Sequence, residues 1–257
     1  MYLGTGFRWC DKTPLLDSKL ISERCLGEGK IGGFAVPRKG KGLLMVYADV
    51  PAEVDEEFNR WYDEEHIPER LSIPGVLNAA RYEAVKGGPK YLACYELSEA
   101  QAHYSDVWQG LLKNPTEWSR RMSPSVVAEN YINNLYMLVY PQDNDEETGE
   151  ADMAPALLVG RMSVPDDIEV RFNQVYNNQR LPLYRSIPGY IRGRRFAAVR
   201  GDPKYITVHE IESTEVADSP EWEGVRTTIT PEWNETINPQ MTHAAGSPGV
   251  YRKIFQV

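Results

Sequence analysis

One short stretch of the chain concentrates side chains that could transfer protons. The segment Asn59–Val76 reads NRWYDEEHIPERLSIPGV and holds Asp63, Glu65 and His66, while Arg81 follows in the next predicted strand. An imidazole titrates near neutral pH, so His66 suits the role of general base or acid. A carboxylate can orient the imidazole or act as a second acid, and a guanidinium can stabilise an enolate-like oxygen. The residue types therefore predict proton-transfer chemistry centred on His66.

A second stretch repeats the frame of the first without its ionisable cluster. The segment Asn173–Tyr190 reads NQVYNNQRLPLYRSIPGY and keeps the tyrosine, the proline and the Ser-Ile-Pro-Gly run. It places Asn177, Gln179 and Arg180 where the first stretch has its acidic residues and its histidine. This difference predicts one functional site per chain, in the first half.

The two stretches belong to a longer internal repeat with an offset of 114 residues. Between positions 43 and 98, about 20 of about 56 residues are identical to those at 157–212, which indicates a duplicated domain. The predicted organisation is an N-terminal arm (1–40), a first half (41–140), an acidic linker (141–155) and a second half (156–257). The linker is expected to be solvated, because it is acidic and has few apolar residues.

Each half shows the same order of predicted elements. In the first half a strand from Gly42 to Val50 precedes a helix from Val54 to about Ile67, which Pro68 is expected to break or kink. Two strands, a helix from His103 to Arg121 and a last strand follow. The order β-α-β-β-α-β predicts an α+β fold. Specifically, we expect two tandem ferredoxin-like halves that pack sheet to sheet as an α+β barrel within one chain.

A helical wheel assigns different surroundings to the ionisable residues. At about 100° per residue, Glu65 falls within the apolar wedge, His66 on its flank, and Asp63 and Arg70 on the more exposed side. A buried carboxylate needs a partner, and Arg81 is the expected one, as a structural ion pair.

Structural roles compete with the catalytic ones. His66 near the end of a helix can simply interact favourably with the helix dipole. Arg81 recurs as Arg195, which favours a structural role common to both halves. The expected walls of a pocket for a ring-shaped ligand are aromatic: Trp61, Tyr62, Tyr91, Tyr95 and Trp108.

The motifs resemble a known family. The segments FNRWYDEEHIPE, IPGV, ARY and PKYLACYE are similar to those of EthD-like proteins in the dimeric α+β-barrel superfamily. The resemblance implies a barrel of paired halves and assigns family positions to His66, Asp63, Glu69 and Arg81. Members of the superfamily include cofactor-free isomerases, polyketide cyclases, quinone-forming monooxygenases and haem-handling enzymes.

Composition excludes several classes of function. The net charge of −9 argues against nucleic-acid binding, which needs a basic surface. No run of apolar residues is long enough to span a membrane, and no signal peptide is recognisable, so a cytoplasmic location is expected. The widely spaced cysteines Cys10, Cys25 and Cys94 indicate a reducing compartment.

The remaining histidines do not indicate a metal site. His103, His209 and His243 lack the spacing of metal ligands, so neither a metal nor a cofactor is expected. His209 aligns with Tyr95, where it could line the cavity of the second half or a haem pocket.

These observations lead to three functional hypotheses. The first is a cofactor-independent enzyme performing acid/base chemistry (isomerisation, cyclisation or lyase cleavage) on a small aromatic or polyketide-like carbonyl compound. The second is a cofactor-free monooxygenase of the same fold, and the third is a non-catalytic small-molecule binding protein. Duplication satisfies the dimer requirement within one chain, and a homo-oligomer is left open.

Overall fold

A computed structural model of the protein describes residues 36–228 and 230–257, and the predicted N-terminal arm lies outside them except for residues 36–40. The strands are β1 (Gly42–Asp49), β2 (Val76–Lys86), β3 (Tyr91–Leu97), β4 (Asn130–Tyr140), β5 (Ala156–Ser163), β6 (Tyr190–Arg200), β7 (Tyr205–Ile211), β8 (Thr242–His243) and β9 (Gly249–Gln256). The α-helices are α1 (Ala52–Trp61), α2 (Ile67–Leu71), α3 (Asp106–Lys113), α4 (Glu117–Met122), α5 (Pro124–Val127), α6 (Glu146–Glu150), α7 (Asp166–Val175), α8 (Leu181–Leu183) and α9 (Pro220–Thr227). The π-helical turns are Tyr62–His66, Tyr176–Arg180 and Trp233–Ile237, and the 3₁₀ turns are Ala100–Tyr104, Tyr184–Ser186, Thr214–Asp218 and Asn238–Gln240.

Eight of the strands close into one antiparallel barrel. Their order is β7-β6-β4-β1-β3-β2-β9-β5, and a pairing of β5 with β7 completes the ring. The two-residue strand β8 adds to the end of β5. Every strand of the ring therefore has a hydrogen-bonded neighbour on both sides.

The predicted arrangement of two ferredoxin-like halves packed sheet to sheet is wrong. The strands of the two halves pair edge to edge instead, β4 with β6 and β2 with β9, and form a single closed sheet. Two separate sheets would leave unpaired N–H and C=O groups along the outer edges of β2 and β4. Edge pairing satisfies these backbone groups while the barrel still buries the inner face of every strand.

Both faces of the barrel wall are apolar, because helices cover its outside. Along β1, Leu43, Met45 and Tyr47 point into the barrel interior, whereas Leu44 and Val46 belong to a cluster with the first set of helices. The helices of the second half cover the opposite wall in a third cluster. This double burial explains why β1, β3, β5 and β7 are buried along almost their whole length rather than at alternate residues.

The helix that carries His66 continues further than the sequence predicts. It runs through α1, the π-helical turn Tyr62–His66 and α2, which ends at Leu71. Pro68 lies inside this helix without ending it. It has no N–H to donate, and the π-helical turn immediately before it, in which the Ile67 N–H donates to the Tyr62 carbonyl, shifts the hydrogen-bond pattern at this point.

The shared Ser-Ile-Pro-Gly frame forms the turn into the following strand. Gly75 and Gly189 adopt φ of +91° and +79°, which side chains with a Cβ rarely reach. The Val76 N–H donates to the Ile73 carbonyl at 3.0 Å, and Tyr190 and Ile187 form the same bond at 3.1 Å. The repeated frame therefore encodes the fold.

The acidic segment 141–155 is more ordered than predicted. It contains α6, whose first turn is capped by Asp145, with its side chain accepting the Thr148 N–H at 2.8 Å. Met153 and Ala154 are buried against the barrel interior. Only part of the segment is therefore solvated.

Candidate functional site

A cavity of about 500 Å³ lies on the outer side of the barrel wall in the first half. Residues of β1, β3 and β4 line one side of it, the π-helical turn and α2 line another, and the segment from α3 to α5 lines a third. Part of this cover was predicted as one helix from His103 to Arg121. In the structure it is divided into a 3₁₀ turn, α3 and α4, and Pro115 in the break between α3 and α4 lines the cavity.

The structure brings some of the sequence-predicted site residues into this cavity and leaves others outside. The residues that line it are Trp61, Tyr62, His66, Tyr95 and Trp108. Those that do not are Asp63, Glu65, Arg81 and Tyr91.

His66 is the ionisable residue of the predicted cluster that faces the cavity. Its ring lies 4.4 Å from the Trp61 ring and 5.1 Å from the Tyr62 ring, measured between centroids. Its Nδ1 is buried and has no hydrogen-bond partner among the described residues. Burial, and secondarily the charges of Arg70 and Arg81, hold the pKa of His66 well below its usual value. The imidazole is therefore neutral at physiological pH and able to accept a proton.

Arg81 lies behind the cavity wall and binds Asp63 rather than the expected Glu65. Its Nη1 donates to Asp63 Oδ1 at 2.7 Å and its Nη2 to Asn59 Oδ1 at 2.6 Å. The guanidinium carbon lies 4.6 Å from the centre of the Tyr62 ring. The side chain is almost fully buried, so these contacts fix the helix against β2 and hold Tyr62 in place.

Glu65 is satisfied by hydrogen bonds that join two helices. One of its carboxylate oxygens accepts from Trp61 Nε1 at 3.1 Å, from Thr116 Oγ1 at 2.6 Å and from Ser119 Oγ at 2.9 Å. The wheel placed Glu65 in the core because it assumed α-helical spacing throughout. The π-helical turn changes the direction of each side chain after Trp61, so His66 rather than Glu65 faces the cavity.

Tyr91 is held at the start of the same helix. Its hydroxyl lies 2.9 and 3.0 Å from the two carboxylate oxygens of Asp55 and accepts a hydrogen bond from Asn59 Nδ2 at 3.0 Å. Tyr205 contacts Glu169 and Asn173 in the same way. The pattern common to both halves indicates a structural contact.

Three arginines and a histidine that sequence reasoning did not select also line the cavity: Arg70, Arg120, Arg200 and His103. Arg70, expected on the exposed side, is buried, with its guanidinium carbon 5.2 Å from the centre of the Trp108 ring. Its position one turn after His66 was the available signal. Arg200 comes from β6, in the other half of the chain, and no feature of the sequence connects it to His66.

The contact between Arg200 and His103 fixes the tautomer of the histidine. Arg200 Nη1 lies 3.0 Å from His103 Nε2, and since a guanidinium only donates, Nε2 must accept. Burial, then the charges of Arg200 and Arg70, lowers the pKa of His103 to about 4. The imidazole is neutral, so its proton is on Nδ1, which is buried without a partner.

The unpartnered polar atoms of the first half converge on the cavity. Between residues 41 and 140, the buried side-chain atoms without a hydrogen-bond partner are His66 Nδ1, Arg70 Nη1, Tyr95 Oη, His103 Nδ1 and Trp108 Nε1. All five residues line the cavity. Folded proteins satisfy the large majority of buried polar atoms, because each unmet hydrogen bond costs about 1–3 kcal/mol. Their convergence makes this cavity the candidate site for a polar ligand.

The aligned positions of the second half line a smaller cavity of about 300 Å³. It has Arg180 in the place of His66, Tyr184 in the place of Arg70 and His209 in the place of Tyr95. None of the residues with unpartnered buried atoms among 156–228 and 230–257 lines it. The two cavities therefore present different chemistry.

His209 does not fit the alternative of a haem ligand. The imidazole is almost fully buried, and its Nδ1 lies 3.2 Å from the Tyr190 hydroxyl. The rings of Tyr184 and Trp222 lie 4.6 and 5.4 Å from it between centroids. These neighbours occupy the space that a macrocycle would need beside the imidazole.

Among residues 36–228 and 230–257, no three His, Cys, Asp or Glu side chains are grouped as a metal site would require. Within the same part of the chain, no helix has the length and apolar character needed to span a membrane.

No protein-family model matches the sequence, and no curated protein matches it. Solved structures do match the fold. An anthrone oxidase-like protein is 10% identical with a TM-score of 0.56, covering 87% of this chain and 95% of its own. A chlorite dismutase from Candidatus Nitrospira defluvii, in complex with imidazole, is 9% identical with a TM-score of 0.53, covering 84% and 92%. A candidate monooxygenase from Lactobacillus acidophilus NCFM is 10% identical with a TM-score of 0.50, covering 83% and 93%.

At these identities the similarity concerns the fold. It shows that these solved structures share the barrel architecture of this chain over 83–87% of its length. No family model and no curated protein supports the narrower resemblance to EthD-like proteins.

Proposed function

We propose that the protein is a cofactor-independent monooxygenase that oxidises a small aromatic carbonyl compound in the first-half cavity. The observation that carries the proposal is the neutral imidazole of His66, which lines an aromatic cavity with an unpartnered nitrogen. The second-half cavity has Arg180 at the aligned position and therefore lacks a base there.

The first step is removal of an acidic proton from a CH₂ group that is conjugated with the carbonyl group through the aromatic ring system. His66 accepts this proton, because its imidazole is unprotonated at neutral pH. Trp61 and Tyr62 pack around the imidazole and restrict its orientation. Arg81 and Asp63 act through Tyr62 as positioning residues and do not line the cavity.

The negative charge then develops on the substrate oxygen, where Tyr95 can stabilise it. The Tyr95 hydroxyl lines the cavity without a partner, and its ring lies 6.3 Å from that of His66. Burial raises the pKa of this phenol well above its usual value, so it stays protonated and donates a hydrogen bond.

Dioxygen is the second substrate. The carbanion passes one electron to O₂, and the two radicals combine to form a C–O bond. The imidazolium of His66 returns its proton to the resulting peroxide. Cleavage of the O–O bond with loss of the second C–H proton then releases water and leaves a carbonyl. One CH₂ group and one O₂ thus become one C=O group and one H₂O.

Two comparisons support the oxidative assignment over isomerisation, cyclisation or lyase cleavage. The matched structures include an anthrone oxidase-like protein and a candidate monooxygenase. The EthD-like motif around His66 adds the resemblance to a superfamily with quinone-forming members. The apolar, aromatic lining suits a planar ring substrate.

The test is oxygen uptake with a hydroxyanthrone as the probe, corrected for the rate without enzyme. We expect uptake and quinone formation in equal amounts. The His66→Gln variant should lower kcat by about 10²–10⁴-fold, the usual contribution of a general base. His243→Gln is the matched control, because this histidine is exposed and outside the first-half cavity.

Each other outcome argues against a defined part of the proposal. An unchanged rate in His66→Gln would remove this residue as the base. Conversion of the probe without oxygen uptake would support the isomerase or cyclase hypothesis instead. Binding without conversion would support the non-catalytic binding protein.

A further inference from the structure

The unpartnered groups at one end of the first-half cavity are all hydrogen-bond donors. Arg70 Nη1 and Trp108 Nε1 carry N–H groups that never accept, and His103 Nδ1 carries the proton that its contact with Arg200 assigns to it. These groups are close together: the Arg70 guanidinium carbon lies 5.2 Å from the Trp108 ring, and the His103 ring lies 4.6 Å from it. A set of donors without an acceptor matches a ligand group that only accepts, such as a carboxylate.

The charge of the lining favours the same class of ligand. The cavity is lined by Arg70, Arg120 and Arg200, and by no aspartate or glutamate among the described residues. Glu69 contacts Arg70 Nη2 at 3.3 Å from outside the lining and leaves Nη1 free. A cationic, partly buried site strengthens the attraction to an anion relative to water.

We propose that the first-half cavity selects a planar aromatic ligand that carries an anionic group. Arg70 binds this group, and Arg200 adds positive charge and holds His103 so that its Nδ1 donates to the same group. The ring lies against the aromatic walls beside His66, and the anionic group lies at the end formed by Arg70, Trp108 and His103. The inference rests on the proposed function in one respect, namely that this cavity is the substrate site.

Arg200 makes the site depend on both halves of the chain. It extends from β6 of the second half to His103 of the first, and its Nη2 donates to Asn133 Oδ1 at 2.5 Å. The aligned residue in the first half is Lys86, which reaches the second half as an exposed ion pair with Asp218 at 2.8 Å. Lys86 lines neither cavity, so the contribution of a cation across the halves is specific to the first-half site.

The experiment compares a charged and a neutral probe of the same shape. We would titrate 2-naphthoate and 2-naphthamide into the full-length protein by isothermal titration calorimetry. Charge-assisted hydrogen bonds predict that naphthoate binds at least about tenfold more tightly. Arg200→Gln should lower the affinity for naphthoate about tenfold and leave that for naphthamide within about twofold. Lys86→Gln is the matched control, because it removes the same charge at the aligned position, and both affinities should stay unchanged.

A second variant tests the role of the buried Arg70. Arg70→Gln should show the same selective loss, and circular dichroism would confirm that it folds. Equal affinity of the wild type for the two probes, or no binding of either at millimolar concentration, would overturn the inference. The inference would also be overturned if Lys86→Gln lost as much affinity for naphthoate as Arg200→Gln. Because the probes do not react, selective binding would be seen even if oxygen uptake failed to occur.

Discussion

Three histidines whose pKa values are lowered in the folded protein should make the fold sensitive to mild acid. His66, His103 and His209 are neutral in the folded protein: burial lowers the pKa of His103 to about 4, that of His209 to about 3, and that of His66 in the same direction. In the unfolded chain each returns to about 6.5. The unfolded state therefore binds more protons below pH 6.5, and the stability present above this value is lost as the pH falls towards the native pKa values.

The size of the effect follows from these values. Between pH 7.5 and 5.5, protonation stabilises the unfolded state by about 1.4 kcal/mol for each histidine, while the folded state gains little. The three histidines together should lower the free energy of unfolding by about 4 kcal/mol, a large part of the total stability of a typical domain. The raised pKa of half-buried Glu69 has the opposite effect, because protonation of this carboxylate stabilises the folded protein as the pH falls. It is a single group, however, whereas three histidines favour unfolding.

The assay is urea unfolding at pH 7.5 and 5.5 at constant ionic strength, followed by circular dichroism. The His209→Gln variant isolates one contribution: whatever its stability at pH 7.5, the difference between the two pH values should fall to about 3 kcal/mol. Equal stability of the wild type at both pH values would refute the reasoning. An undiminished pH difference in His209→Gln would show that this histidine is not held neutral.

Two further predictions concern buried ion pairs. Asp63→Asn should lower the free energy of unfolding by only about 1–2 kcal/mol. The reason is that the second half already has an amide at the aligned position, where Asn177 binds Arg195. A loss above about 4 kcal/mol in urea unfolding would contradict this. Glu96→Gln should cost about 3–5 kcal/mol, since Glu96 is buried against Arg194 and Lys39 and its removal leaves excess positive charge inside the barrel. A cost below 1 kcal/mol in the same assay would show that the cluster is not held charged.

The local elements could be predicted from the sequence, but the way in which they join could not. Apolar runs and turn residues locate β1 to β4 to within a few positions. The double-sided burial of β3 indicates cover on both faces, yet two stacked sheets and one closed barrel both provide it. Whether the strands form two stacked sheets or one barrel depends on which strand edges pair, such as β2 with β9. The periodicity of apolar residues does not indicate which edges pair.

The candidate site, like the fold, could be predicted only in part from the sequence. His66 was selected from its residue type and its position, and it lines the cavity. The helical wheel nevertheless failed after Trp61, because the helix widens to a π-helical turn. The role of Arg200 could not be anticipated, since it reaches His103 only through the pairing of β4 with β6. Residues that meet across a long sequence separation leave no local pattern.

Closure of the barrel also limits what the first half could do alone. A fragment from Gly42 to Tyr140 would keep the cavity residues of β1, β3 and α2 but would expose the free edges of β2 and β4. Such edges readily pair with further chains, so the fragment would be driven towards self-association. A copy of itself would supply Lys86 where the intact chain supplies Arg200. Covalent fusion thus lets a single arginine, placed in one half, serve a cavity in the other.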